Sequence, residues 1–178
     1  PSNSYYNYSV SQHISTAAEM GGANEISSIA FFDAGSTKTR NLTIYLKHTS
    51  KAAFNNDSDW ITVNNSNKVF SGNVTFTSGN WTYIIFNQPF AYNGTSNLVL
   101  TVDDNTNDYS YGMNCRVFVA NGTQALQAFS DDVNYNPKSP SSYSGSLMTL
   151  KNQVIFGLSG NIFNVFATAN PTVGGTVS

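Results

Sequence analysis

The stretch 80–104 constrains the fold more than any other part of the chain, because it contains two strand-forming runs with turn residues between them. The first run reads Trp-Thr-Tyr-Ile-Ile-Phe and the second reads Leu-Val-Leu-Thr-Val. β-Branched and aromatic residues favour strands, whereas Pro89 and the pair Asn93-Gly94 favour a turn. In the second run, side chains point alternately to two faces and one face is apolar, which predicts a strand beside a core.

The same pattern of short runs recurs along the chain, and no segment predicts a helix longer than one turn. The pair Asn121-Gly122 is the strongest hairpin signal, and it predicts that 113–120 and 124–130 pair with each other. Nine or ten strands at short spacing, some joined by long loops, predict an all-β protein, a jelly-roll-like antiparallel β-sandwich. The other predicted strands are 5–16, 25–33, 39–49, 68–77 and 147–158.

The low charge of the chain and the distribution of its basic residues argue against some classes of binding partner. Charged residues make up only 10 % of the sequence, against roughly 25 % in an average soluble domain, and this low charge is typical of extracellular β-proteins. The net charge is −2 and the basic residues are scattered, so no basic stripe predicts nucleic-acid binding. No apolar run approaches the roughly 20 residues of a membrane span.

The sequence offers no set of residues that predicts an enzyme. Glycosidases generally use two carboxylates at a defined separation, and the only glutamates are Glu19 and Glu25. The single cysteine, Cys115, has no base near it in sequence, so we interpret it as a small buried apolar residue. His13 and His48 alone are too few for a zinc site. We therefore predict a non-catalytic protein that requires no cofactor.

The loop that follows residue 102 is rich in oxygen ligands. Asp103, Asp104 and Asp108 lie within six residues, and calcium is bound by six to eight oxygen atoms. These three residues are therefore a candidate structural calcium site. Asp and Asn also favour ordinary turns, so the alternative is a loop of capped turns without a metal.

Two loops combine tyrosines with polar residues in the way that a glycan site requires. Tyr109 and Tyr111 lie in one loop, and Tyr135 and Tyr143 lie in the other. Aromatic rings can stack on the C–H face of a sugar, while planar polar side chains bond its hydroxyl groups. The alternative is that these tyrosines only cover the edge of the core. The candidate hydrogen-bonding residues are Asn114, Arg116, Asp131 and Asp132.

The sequence changes character near position 160. The last residues resemble the opening of small β-repeats in bacterial surface proteins, which often begin Ala-x-Pro-x-x-Gly-Gly-x-Val, with Ala169, Pro171 and Val177 among the matching positions. We therefore expect a β-sandwich module over 1–159, followed over 160–178 by a linker and the start of a β-repeat unit. The abrupt opening of the chain favours covalently linked neighbouring domains in a longer parent protein.

Several motifs between positions 5 and 158 carry a wider resemblance. They include Thr-Ala-Ala-Glu-Met-Gly-Gly at 16–22, Lys-Val-Phe-Ser-Gly at 68–72, Pro-Phe-Ala-Tyr-Asn-Gly at 89–94 and Lys-Asn-Gln at 151–153. Jointly they resemble a module that recurs in large secreted and surface proteins of anaerobic gut and oral bacteria. The resemblance implies a jelly-roll-like sandwich similar to carbohydrate-binding modules and adhesin domains. It carries over no catalytic residues.

Together these observations predict a non-catalytic carbohydrate-binding module of a secreted or cell-surface bacterial protein. We expect it to act as a monomer and to hold a polysaccharide by aromatic stacking and by hydrogen bonds from Asn, Asp and Arg side chains. The alternative prediction is a protein-binding adhesin or a structural spacer domain on the cell surface. Fold-level likeness alone does not decide between them.

Overall fold

The computed structural model describes residues 1–159 and the backbone of 164–167, and the rest of the predicted linker and repeat unit lies outside the described residues. The described part is nearly all β, which confirms the predicted fold class, whereas the jelly-roll strand order stays a prediction. Its one α-helix, α1 (Ala17–Met20), begins at a Thr16 capping box. No helix among these residues has the length and apolarity to cross a membrane. The strands are β1 (Tyr8–Ser15), β2 (Asn24–Asp33), β3 (Lys38–Thr49), β4 (Lys68–Phe76), β5 (Asn80–Tyr92), β6 (Asn97–Asp104), β7 (Val117–Val119), β8 (Ala125–Ser130), β9 (Ser146–Met148), β10 (Leu150–Asn152), β11 (Val154–Leu158) and β12 (Asn164–Ala167).

Two antiparallel sheets enclose the main apolar core. The larger sheet has the order β4-β3-β6-β1-β8-β9, the smaller has the order β12-β11-β2-β5, and β7 and β10 form a separate pair. Alternate residues from both sheets meet in the core, and Phe31, Ile44, Phe76, Leu100 and Phe156 are almost completely buried there. The apolar alternation predicted for β6 therefore buries one face of that strand as expected.

A second, smaller core covers the opposite face of the six-stranded sheet. Two connecting segments, 50–64 and 131–145, fold over this face and contribute aromatic side chains such as Trp60. Gln12 of β1 fixes the first segment, because its side-chain amide donates to the backbone oxygen of Ile61 at 2.6 Å and accepts from the nitrogen of Ile61 at 2.8 Å. The long connections of this protein are therefore packed against the sheet.

The predicted hairpin around Asn121-Gly122 is wrong. The chain does turn there, and Gly122 has a φ of 102°. However, β7 pairs with β10, whereas β8 pairs with β1 and β9. Leu126 and Ala128 of β8 are buried in the second core, so the burial of these side chains beside β1 outweighs the local turn signal.

The single strand predicted at 147–158 is in fact three short strands, β9, β10 and β11. Each joins a different sheet: β9 pairs with β8, β10 pairs with β7, and β11 pairs with β2 and β12. Only Thr149 and Gln153 separate the three strands. Neither is a typical turn residue, so no local signal predicts the two changes of sheet.

β5 continues through Pro89, where the sequence predicted the start of a turn. β5 is an edge strand, and its register with β2 jumps from Ile85 to Phe90. Proline lacks the amide hydrogen that a ladder needs, and it is tolerated at edges and bulges of this kind. The turn falls later, where the Asn93 side chain accepts from the nitrogen atoms of Thr95 and Ser96 at 3.0 and 2.9 Å.

Candidate functional site

Three tyrosine rings lie together on the surface beside the loop that joins β6 to β7. Tyr111 contacts Tyr5 edge to face at a centroid distance of 5.3 Å, and it contacts Tyr109 in the same manner at 5.8 Å. Tyr5, Tyr109 and Tyr111 are 54, 54 and 66 % exposed. Each exposed ring offers an apolar face that is open to a ligand. We call these three residues the tyrosine surface.

The backbone below the tyrosine surface is held by other segments of the chain. Ser110 donates from its nitrogen to the oxygen of Ser4 at 2.6 Å, and Ser36 donates to the oxygen of Gly112 at 2.6 Å. Gly35 lies so close to the backbone of Gly112 that a β-carbon at position 35 would overlap it. The rings are therefore carried by a fixed backbone, which reduces the entropy lost when a ligand binds.

A buried ion pair also holds the loop that joins β6 to β7. Arg40 donates from Nε to Oδ2 of Asp104 at 2.8 Å, and the two side chains are 1 % and 0 % exposed. The guanidinium group also donates to the backbone oxygens of Asp108 at 2.7 Å and Tyr6 at 3.0 Å. One side chain thus connects β3, the loop after β6 and the segment before β1.

The three carboxylates predicted to bind calcium lie in different environments. Asp104 is paired with Arg40 and accepts hydrogen bonds from the nitrogen of Thr106, at 3.0 Å, and from its hydroxyl group. Asp103 belongs to the opposite face of β6, because successive strand residues alternate, and Asp108 is exposed. Within 1–159 and 164–167, no three His, Cys, Asp or Glu side chains are grouped as metal ligands. Calcium at this loop stays a prediction.

Asn114 lies beside the tyrosine surface, whereas Arg116 faces another surface. Asn114 and Tyr5 line the same cavity, which has a volume of about 320 Å³. The guanidinium carbon of Arg116 lies 3.6 Å from the centroid of the Phe32 ring, which belongs to the four-stranded sheet. Of Asn114 and Arg116, only Asn114 is therefore close to the tyrosine surface.

Asp131 is connected to the loop of the tyrosine surface through Asn7. The nitrogen of Asn7 donates to Oδ1 of Asp131 at 3.2 Å, and its side chain donates to the backbone oxygen of Asp131 at 2.9 Å. The oxygen of Asn7 in turn accepts from the nitrogen of Asn107 at 3.0 Å. Asp132 is exposed, and its nitrogen donates to the hydroxyl group of Ser130 at 3.1 Å. The two predicted loops thus meet at Asn7.

Tyr135 and Tyr143 pack against the second core. Their rings lie 4.7 Å apart, and Tyr143 contacts Trp60 at 5.1 Å. The hydroxyl group of Tyr135 donates to the oxygen of Phe129 at 3.1 Å. The hydroxyl group of Tyr143 is buried and has no hydrogen-bond partner among the described residues, and this burial raises the pKa of Tyr143 far above its ordinary value. These two tyrosines are thus less accessible than Tyr109 and Tyr111.

A polar groove with a volume of about 470 Å³ lies beside Tyr135 on the outer face of the six-stranded sheet. Its walls come from β3, β4, β6 and the loop 131–145. Sequence reasoning missed this site, because residues distant in the chain meet there only after the sheet has formed. The polar groove is defined by Asn41, Tyr45, Lys68, Asp103, Tyr135 and Lys138.

A further apolar surface lies on the edge strand of the four-stranded sheet. Tyr83 and Ile85 of β5 are 53 % and 67 % exposed, and Trp81 contacts Phe32 edge to face at 5.7 Å. The alternation of β5 contained the signal for this surface, since every second residue from 81 to 85 is large and apolar. Tyr83 provides a natural comparison for Tyr109 and Tyr111, because its ring is similarly exposed at a different place.

Comparison of the chain with protein-family models, curated proteins and solved structures gave no significant match. The chemistry of these surfaces is therefore the basis for assigning a function to the protein.

Proposed function

We propose that the protein is a non-catalytic carbohydrate-binding module and that the tyrosine surface holds the glycan. The observation that carries this proposal is the contact of the exposed ring of Tyr111 with the exposed rings of Tyr5 and Tyr109, on a backbone fixed by neighbouring segments. Each ring offers an apolar face to the C–H groups of a sugar. The exposed amide of Asn114 supplies both a donor and an acceptor for sugar hydroxyl groups.

The wider setting of this proposal is a secreted or cell-surface bacterial protein with several domains. Its support is the low charge of the chain and the resemblance of its motifs to modules of such proteins. In this setting the module acts as a monomer that tethers its parent protein to a polysaccharide. No cofactor takes part in the stacking contact, and calcium in the loop 103–108 would act only by ordering the loop.

Affinity electrophoresis against a panel of soluble neutral plant and host polysaccharides tests the proposal. We expect at least one polysaccharide to retard the wild-type chain. The double variant Tyr109→Ala/Tyr111→Ala should bind about 30-fold more weakly, at roughly 1 kcal/mol for each ring. The matched control Tyr83→Ala removes an equally exposed ring and should bind normally.

Two outcomes would contradict parts of this proposal, and one would extend it. Loss of binding in Tyr83→Ala but not in the double variant would move the site to the four-stranded sheet. Loss of binding in EDTA would support calcium in the loop that contains Asp103, Asp104 and Asp108. The absence of retardation by every polysaccharide would contradict glycan binding at this surface.

The second candidate function, a protein-binding adhesin, has its own supporting observation. Val117 and Val119 of β7 and Leu150 of β10 are 47, 67 and 40 % exposed, and Val119 lies directly opposite Leu150 in the strand pair. An exposed apolar patch of this kind is a feature of protein-interaction surfaces. A Val119→Ser variant that loses attachment to host protein, while glycan panels show no binding, would favour this function.

A further inference from the structure

The cavity beside the tyrosine surface continues from exposed residues into the interior of the protein. Tyr5 and the exposed Asn114 line one part of it, and Met113, which belongs to the main core, lines another. Its volume is about 320 Å³, and sites for small molecules generally measure about 300–1,000 Å³. The cavity therefore has room for a small ligand, and the main core closes its inner end.

Polar residues line this cavity on a sheet face that is otherwise apolar. Ser11 and His13 of β1 lie directly opposite Val102 and Leu100 of β6, and these two apolar residues belong to the main core. Directly opposite residues of paired strands project their side chains to the same face of the sheet. Ser11 and His13 therefore occupy core-facing positions, where a polar group needs a hydrogen-bond partner.

Two polar atoms at the cavity lack such a partner. Nδ1 of His13 and Oγ of Ser4 are buried and form no hydrogen bond with another described residue. The two residues are 9 % and 2 % exposed, and both line the cavity. A buried polar atom without a partner is costly to the folded state and calls for an explanation. A ligand with hydroxyl groups would complete both atoms.

Two side-chain amides and two apolar side chains complete an amphipathic lining. Gln127 of β8 lies opposite Ser11, and Asn152 belongs to β10; no hydrogen bond within the described part of the chain uses either amide. An amide offers a donor and an acceptor side by side, as sugar hydroxyl groups require. Met148 and Leu150 provide apolar contacts for C–H groups.

The ionisable groups of the cavity favour a neutral ligand. Among the described residues, no Asp, Glu, Lys or Arg side chain lines it. Burial is the largest cause that lowers the pKa of His13, and the positive charges of the Pro1 amino group and Lys151 lower it further. Burial also lowers the pKa of the Pro1 amino group and raises the pKa of Cys115. Each of these shifts favours the neutral form of the group.

We propose that this cavity receives the terminal sugar unit of a neutral polysaccharide, while the following units stack on the tyrosine surface. His13, Ser4, Gln127 and Asn152 bond the hydroxyl groups of the terminal unit. A polysaccharide cannot continue through the main core, so the cavity accepts only a chain end. This inference rests on the proposed glycan binding at the tyrosine surface, and it adds that the protein recognises the end of a glycan.

Isothermal titration calorimetry on the whole chain tests this inference with dextran, mannan, galactan, arabinoxylan and glycogen. Each polymer is used intact and after partial hydrolysis to about one-tenth of its chain length, which gives about tenfold more chain ends at equal mass. We expect the hydrolysed form of at least one polymer to bind about tenfold more tightly per unit mass, because the site counts ends. Treatment with borohydride, which reduces only the reducing end, identifies the end that is bound.

Two variants test the cavity directly. His13→Leu removes the imidazole and should weaken binding of the hydrolysed polymer about fivefold to tenfold, without lowering the melting temperature. Gln127→Leu removes a partly exposed amide and should weaken binding in the same direction, so the test remains if His13→Leu does not fold. The matched control His48→Leu changes a histidine outside the cavity and should keep the preference for hydrolysed polymer.

The possible results separate this inference from the proposed function. Equal binding of intact and hydrolysed polymer per unit mass would overturn the inference and leave glycan binding at the tyrosine surface intact, and so would unchanged binding in both cavity variants. An equal loss in His48→Leu would also overturn it. No binding of any polymer in either form would contradict the inference and the proposed function together.

Discussion

The raised pKa of Asp103 predicts that replacing this residue with asparagine stabilises the unliganded protein above neutral pH. Its pKa is about 7 in the folded chain against an ordinary value of 3.8. The stability associated with this group is fully present below the unfolded pKa and is lost as pH rises through the folded pKa. A difference of about three pH units corresponds to about 4 kcal/mol. Asparagine cannot ionise, so Asp103→Asn escapes this loss.

Urea denaturation, followed by tryptophan fluorescence, measures the free energy of unfolding of both proteins at several pH values. We expect the free energy of unfolding of Asp103→Asn to be higher than that of the wild type by about 4 kcal/mol near pH 8 and by about 2 kcal/mol near pH 5.5. Near pH 4 the two free energies of unfolding should be almost equal. The exposed residue Asp132 provides the control, since Asp132→Asn should change little. A variant that is equally destabilised at every pH would refute the reasoning, because it would show that the carboxylate acts as a needed acceptor.

Two further substitutions test the contacts around the candidate sites. Arg40→Met leaves Asp104 buried without the guanidinium group of its ion pair and should lower the free energy of unfolding by about 3–5 kcal/mol. The control Lys51→Met breaks a more exposed ion pair and should lower the free energy of unfolding by less than about 1 kcal/mol. Equal decreases in the two variants would contradict the role of burial. Tyr143→Phe removes a buried hydroxyl group that has no hydrogen-bond partner within the described part of the chain and should leave the melting temperature unchanged or higher. A clear decrease in melting temperature would mean that this hydroxyl group is bonded in solution.

The strands were largely predictable because their signal is local. Alternating apolar residues identified β3 and β6 closely, and the abundance of β-branched and aromatic residues identified the all-β class. The pairing of strands was less predictable, since it depends on which side chains are buried together. Leu126 and Ala128 pack beside β1, and this distant contact overrides the local signal at Asn121-Gly122.

The candidate site was predictable only where its sequence signal is local. Tyr109 and Tyr111 lie in a polar loop, and this local pattern was enough to select them. Tyr5 was missed, because contacts between segments distant in the chain, such as the hydrogen bond from the nitrogen of Ser110 to the oxygen of Ser4, bring the first residues beside that loop. Tyr135 and Asp103 of the polar groove were also selected from the sequence, but nothing in the sequence placed them together, since the lysines and Asp103 of the groove come from three separate segments.

The three strands between Ser146 and Leu158 have a consequence for how the chain folds during synthesis. Until this segment leaves the ribosome, β7 lacks its partner, and β2 and β8 each have an open edge. Open strand edges can pair with other chains and lead to aggregation. Chains dominated by such distant pairings also fold slowly, in roughly milliseconds to seconds. A fragment that lacks the chain from Ser146 onward would therefore have three open edges at once, and we expect it to aggregate instead of forming a slightly shorter domain.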